Sequence, residues 1–177
     1  MIKWKNFKFQ GQIYDLSHLH PKIVNYLQPA QNGKLERIYN VQVIYSLHCF
    51  TRSKEKKDID KLMHYSDSRE CRIFDFTRHE LSQQLPAIIE SLINRPCYHT
   101  GKGNFLIVEI MMRNGTRQNY EIYFKPNRSP KNMLTIHIES AYLSNRVNQS
   151  SNIGKKKIGF HVILFNTQNN KPIKLPK

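Results

Sequence analysis

Two short segments of the chain place ionisable side chains at every second position. In Gln118 to Lys125 (QNYEIYFK), Tyr120, Ile122 and Phe124 fall on one face of a strand, and Glu121, Tyr123 and Lys125 on the other. The split follows from the alternation of side chains across a sheet. In Met133 to Tyr142 (MLTIHIESAY), Leu134, Ile136 and Ile138 share one face, leaving Thr135, His137 and Glu139 opposite. As neighbours, these strands would present carboxylates, a phenol, an ammonium and an imidazole together. Such a surface suits general acid–base chemistry. It equally suits a solvated sheet face laced with cross-strand ion pairs, and alternation alone does not choose between them.

A second constellation lies in Cys97 to Asn104 (CYHTGKGN). Gly101 and Gly103 permit a tight turn with exposed backbone, Lys102 sits between them, and His99 is close by. Such a loop can offer N–H groups and an ammonium to a phosphate. It is not a Walker A loop, because the GxxxxGK[ST] spacing is missing, and a plain glycine-rich connector fits as well. Asp15, His18 and His20 (YDLSHLHP), His48 beside Cys49 (SLHCFTR), and Cys97 near His99 lack the CxxC or HxxxH spacing of a zinc site, so no metal or other cofactor is expected. Adjacent strand residues point to opposite faces, which argues against a thiol–imidazole dyad from Cys49 and His48. Cys97 and His99 share a face if extended. Basic and aromatic residues interleave at Lys3-Trp4-Lys5, Phe7-Lys8-Phe9 and Phe124-Lys125. Bases stack on exposed rings while ammonium groups meet phosphates, and the flanking lysines make Trp4 the leading candidate for an exposed ring.

The elements that must position these groups are legible in outline. Ile38 to Leu47 (IYNVQVIYSL) reads as a strand. Leu81 to Ile93 (LSQQLPAIIESLI) has helical apolar spacing, with Pro86 predicting an irregular or newly started helix. Asn104 to Arg113, the Asn114-Gly115 turn, Gln118 to Lys125, a turn over Pro126 to Lys131, and Met133 to Tyr142 then predict an antiparallel meander. Lys157 to Asn166 (KIGFHVILFN) reads as a fourth strand. Arg52 to Asp60 reads as an exposed loop or frayed helix start, and Ser144 to Lys157 as a mobile basic loop. The expected fold is α+β, an antiparallel β-meander sheet with one or more helices packed on one face. A single domain over 1–177 is expected, with an N-terminal portion 1–75, a helix-plus-meander core 76–166, and an extended basic tail 167–177.

With 28 Lys+Arg against 13 Asp+Glu among 177 residues, the formal charge is +15. That charge selects polyanionic partners, nucleic acid first and acidic protein or anionic membrane surface next. Aromatic residues at 11% predict a packed core rather than a disordered basic chain. No apolar run reaches the roughly 18–20 residues needed to span a bilayer, and the N-terminus has no signal-like apolar stretch. Three widely spaced cysteines make no disulfide framework, and a reducing cytoplasm is expected. No zinc finger, RRM signature or basic zipper is present, so sequence-specific DNA readout is not expected.

The stretch from about Phe76 to Asn166 resembles the barnase/RelE-like superfamily of toxin ribonucleases, through NYEIYF at 119–124, LTIHIESAY at 134–142 and the helix before them. The resemblance implies a small basic endoribonuclease of toxin or defence type. It also implies metal-independent cleavage, in which a base activates a ribose 2′-OH and an acid protonates the leaving 5′-oxygen. Glu121 with His137 is the candidate pair, and His99 the alternative acid. Lys102, Lys125 and Arg128 would hold the phosphate, and Tyr123 would stack a base or steer a proton. RNA is the expected partner, with an acidic protein inhibitor or antitoxin beside it, and no membrane. Two alternatives stay open: a non-catalytic nucleic-acid-binding protein, and a basic module for an acidic protein.

Overall fold

A computed structural model describes residues 3–31, 33, 35–58, 61–113, 115–129, 133–144 and 156–174. The elements are β1 (Phe7–Phe9), β2 (Gln12–Tyr14), β3 (Lys22–Gln28), β4 (Arg37–Tyr45), β5 (Thr51–Arg52), β6 (His64–Ser66), β7 (Cys71–Phe74), α1 (Phe76–Ser82), α2 (Leu85–Glu90), β8 (Pro96–His99), β9 (Phe105–Arg113), β10 (Thr116–Arg128), β11 (Leu134–Leu143), β12 (Lys156–Gly159) and α3 (Phe160–Gln168). Seven strands form one sheet in the order β12-β8-β9-β10-β11-β4-β3. β5, β7 and β6 form a second sheet, and β1 with β2 a third.

The architecture is α+β, and its main sheet is mixed rather than antiparallel throughout. β8 to β11 pair antiparallel in turn, but β11 pairs parallel with β4, Leu134 opposite Val41 and Ile138 opposite Tyr45. The N-terminal portion thus extends the sheet instead of standing beside it. Tyr39, Val41, Val43 and Tyr45 alternate into the core along β4, as a half-buried strand requires. Helical cover is not confined to one face either. Phe160 of α3 packs on Phe124 and Tyr26, whereas Arg78 of α1 reaches Tyr142, on the sheet face opposite Phe124.

Three expectations fail for local reasons. Lys157 to Asn166 is a strand only to Gly159. There Phe160, Ile163 and Leu164 fall at helical spacing and bury together, which overrides the β-propensity of a Val/Ile/Phe run. The same helix runs through Gln168, so the tail 167–177 begins helical rather than extended. The turn predicted at Pro126 to Lys131 starts later, since Pro126 to Arg128 still pair with Ile136 to Leu134. β9 stops pairing at Phe124, so Pro126 sits where one side of β10 is an edge and its missing N–H is not needed. Pro86 does start a new helix, in the first turn of α2, where its absent N–H leaves nothing unpaired. Gly115 adopts φ 70° at the β9–β10 turn, while Asn114 lies outside the described residues. Most of the predicted loop 144–157 lies outside them too.

Trp4 is not an exposed ring. It is 6% exposed, packs edge-on against Phe50, and donates its indole N–H to Tyr45 O at 3.2 Å. Its apolar area is worth more in the core than on a base, and its flanking lysines merely extend outward. Among the described residues, no helix is long and apolar enough to cross a membrane.

Candidate functional site

The outward face of β10 and β11 carries two adjoining cavities. The larger, about 900 Å³, is walled by α1, by the loop between β8 and β9, and by Glu121, Tyr123 and Tyr142. The smaller, about 430 Å³, holds Lys125, Asn127, His137 and Glu139, with His48 and the Arg69-Glu70 turn opposite.

Glu121 is the chemical centre of the larger cleft. It is 5% exposed, and Tyr123 donates its hydroxyl to Glu121 Oε2 at 2.7 Å. Burial, then the Glu121 carboxylate and Tyr142, push the Tyr123 phenol well above its ordinary value, so it stays protonated. The Tyr123 and Tyr142 rings lie 5.9 Å apart and nearly parallel, at 16°. Tyr142 reaches this face through a β-bulge. Tyr123 pairs with Ser140 but Phe124 with Ile138, so Glu139 is an extra residue in β11. Strict alternation would have sent Tyr142 to the core with Ile136 and Ile138. The bulge brings it opposite Glu121 and turns Ala141 inward instead.

The cleft's fixed cation is Arg78. Asp75 caps α1, its side chain accepting from Arg78 N at 2.9 Å. That cap starts the helix where the Arg78 guanidinium meets two carbonyls, His48 O at 3.0 Å and Thr51 O at 2.8 Å. The guanidinium carbon stands 5.3 Å from the Tyr142 ring centroid. Burial works against its charge and the nearby Asp75 carboxylate supports it.

The opposite wall is the glycine loop. Gly101 and Gly103 take φ 80° and 78°, conformations that favour glycine. The turn is closed by Thr100 N on Asn104 O at 3.2 Å and by Lys102 N on Thr100 Oγ1 at 3.2 Å. Lys102 is left exposed at the rim. Asn104 donates its side-chain amide to Glu139 Oε2 at 2.8 Å, joining the walls of the two cavities.

The predicted site residues therefore divide. Glu121, Tyr123 and Lys102 come together in the larger cleft, and Lys125 and His137 in the smaller one. Glu121 and His137 do not form a pair: Lys125, not Glu121, faces His137, four strand residues or roughly 13 Å away. His99 pairs with Phe105, which pairs with Phe124, so it lies on the sheet face opposite Glu121, its Nδ1 accepting from Gly101 N at 2.9 Å. Arg128 stands at the far end of β10 opposite Leu134 and lines neither cavity. Trp4 borders the smaller cavity from within the core.

The remaining candidates are structural. His18 Nε2 meets Ser82 Oγ at 2.8 Å and His20 Nε2 meets Trp4 O at 3.1 Å, so the two imidazoles do not converge. Among the described residues, no group of three or more His, Cys, Asp or Glu is placed to hold a metal ion. Cys97 is fully buried and burial pushes its thiol up to about 12, which disfavours the thiolate that a nucleophile needs. Sequence reasoning missed Arg78, Asp75 and Tyr142. An Asp three residues before an Arg at a helix start was a readable cap signal. Nothing in the sequence announces the bulge.

The YjaZ family matches residues 6–168. The chain is similar to Protein YjaZ of Escherichia coli (strain K12), 30% identical over 179 residues, covering 98% of this chain and 96% of that protein. No solved structure matches it.

Proposed function

The chain belongs to the YjaZ family, and we propose that it is a metal-independent endoribonuclease whose reaction centre is the Glu121–Tyr123 cleft. The observation that carries this reading is the 2.7 Å contact from the Tyr123 hydroxyl to a nearly buried carboxylate, in a cleft walled by Arg78 and Lys102.

Glu121 takes the proton of a ribose 2′-OH, and the 2′-oxygen attacks the adjacent phosphorus. As the bond from phosphorus to the 5′-oxygen breaks, Tyr123 donates its proton to that leaving oxygen. The products are a 2′,3′-cyclic phosphate and a 5′-hydroxyl. The Tyr123 phenol is a poor acid while Glu121 is charged, because the carboxylate helps hold its proton. Once Glu121 has taken the substrate's proton, the carboxylate's share of that restraint is gone while the share from burial remains, and the phenol gives its proton to the 5′-oxygen as that oxygen gains charge. The protonated Glu121 then returns a proton to the Tyr123 oxygen across the same contact, which resets the pair. Arg78 and Lys102 oppose the negative charge that builds on the phosphoryl oxygens. His137 has no place in this step, being in the neighbouring cavity.

The test is incubation of an end-labelled oligoribonucleotide with the protein in EDTA, with the product ends identified. Cyclic phosphate ends from RNA, and no cut at a 2′-deoxy residue, support the reading; RNA left intact by folded protein refutes it. A second reading, non-catalytic RNA binding, draws on the parallel Tyr123 and Tyr142 rings beside Arg78, a platform that can grip a base without any proton transfer. It predicts salt-sensitive binding and no cleavage.

A further inference from the structure

The smaller cavity holds a cation that the reaction centre does not use. Its two carboxylates are already engaged. Glu139 accepts the Asn104 amide at 2.8 Å, and Glu70 is held by His48 at 2.7 Å and Arg72 at 3.3 Å. Arg69 at the rim is paired with Asp67 at 3.0 Å. Lys125 and His137 face each other across the β10–β11 ladder, and among the described residues neither forms a salt bridge. Asn127, one face-repeat along β10, adds an amide. Partial burial opposes a proton on His137, the Glu139 carboxylate favours it, and Arg69 and Lys125 oppose it, with a net lowering that a bound anion would relieve.

The position is informative as well. Lys125 lies four residues along β10 from Glu121, roughly 13 Å, and the Asn104–Glu139 contact lies where the walls of the two cavities meet. A strand seated at Glu121 would run on over Lys125. We infer that the smaller cavity is a subsite for a backbone phosphate of the same RNA strand, beyond the nucleotides at the reaction centre, with Lys125 and His137 as its contacts. This rests on the RNA reading of the larger cleft.

The experiment uses a labelled 2′-O-methyl oligoribonucleotide of about twelve residues, which has no 2′-OH to attack, and reads anisotropy at several KCl concentrations. With Lys125→Ala, affinity should fall several-fold and the slope of log affinity against log salt should shrink by about 0.7, one single-strand phosphate contact. Lys125→Arg should restore the slope, and His137→Ala should weaken binding in the same direction. A dinucleoside monophosphate, too short to reach the cavity, should compete equally with Lys125→Ala and wild-type protein. An unchanged slope and affinity for the long ligand overturns the inference, as does an equal loss for the short one. Because the ligand is uncleavable, absence of nuclease activity would defeat the catalytic reading and leave this measurement standing.

Discussion

Glu121 and Tyr142 face each other across the β10–β11 ladder because β11 carries one extra residue, Glu139, between Ile138 and Ser140. That bulge moves a tyrosine from the core side to the cleft side, where it neighbours Tyr123 and lies under Arg78. The Tyr142 ring thereby stands between the Glu121–Tyr123 contact and the Arg78 guanidinium.

Tyr142→Ala should weaken RNA binding while leaving the Glu121–Tyr123 contact in place. A cation–π contact of this partly desolvated kind is worth about 1–2 kcal/mol. The expected result is a rise of about tenfold in KM with a smaller change in kcat, and steady-state kinetics on a short oligoribonucleotide reads it.

Tyr123→Phe removes the proposed proton donor with little change in volume. Loss of a positioned general acid costs about 10²- to 10⁴-fold. The drop should appear in kcat, and a substrate with a better leaving group at the 5′-oxygen should recover much of it. Equal loss with both substrates would place Tyr123 in binding instead of proton transfer.

Stability should decline as the solution is acidified from about pH 6.5 towards 4. Burial, then the neighbouring His79, hold the His18 imidazole down to about 4. Ser82 gives its hydrogen to His79 O at 2.7 Å, so His18 Nε2 must donate to Ser82, and Nδ1 is left buried without a partner. The unfolded chain therefore binds a proton in this window that the folded chain refuses, and folding weakens as pH falls. His137, also lowered, acts in the same direction. Urea unfolding of His18→Gln should show a flatter dependence over this range than wild type.

Trp4→Ala should behave as a core deletion. Truncating a buried tryptophan costs about 3–5 kcal/mol, visible in the denaturation midpoint. Under conditions where the variant remains folded, the salt slope of RNA binding should not change. A selective loss of binding without loss of stability would restore Trp4 as a stacking residue.

What was legible in the sequence follows from what each feature depends on. β4, β10 and β11 were readable from alternating residues and β9 from its apolar run before the Asn114-Gly115 turn, and such signals are local. The proline signal at Pro86 was local too. The parallel junction of β11 with β4 was not readable, since it joins segments about ninety residues apart. α3 was hidden because Phe160 to Phe165 have the composition of a strand, and only the space over Phe124 and Tyr26 favours the helix. At the candidate site, Glu121, Tyr123 and Lys102 were named from the sequence, and Arg78 and Tyr142, which line the same cavity, were not. Pairing Glu121 with His137 assumed unbroken alternation and ignored distance along the strand. Face is set by parity, proximity by register, and a one-residue bulge changes both.

The most direct test is the single-turnover cleavage rate of Glu121→Gln on an oligoribonucleotide, with binding measured on the same protein. Glu121 as general base predicts a rate at least about 100-fold below wild type, with RNA affinity close to wild type and cyclic phosphate ends from the wild-type enzyme alone. Cleavage by Glu121→Gln at the wild-type rate would contradict it.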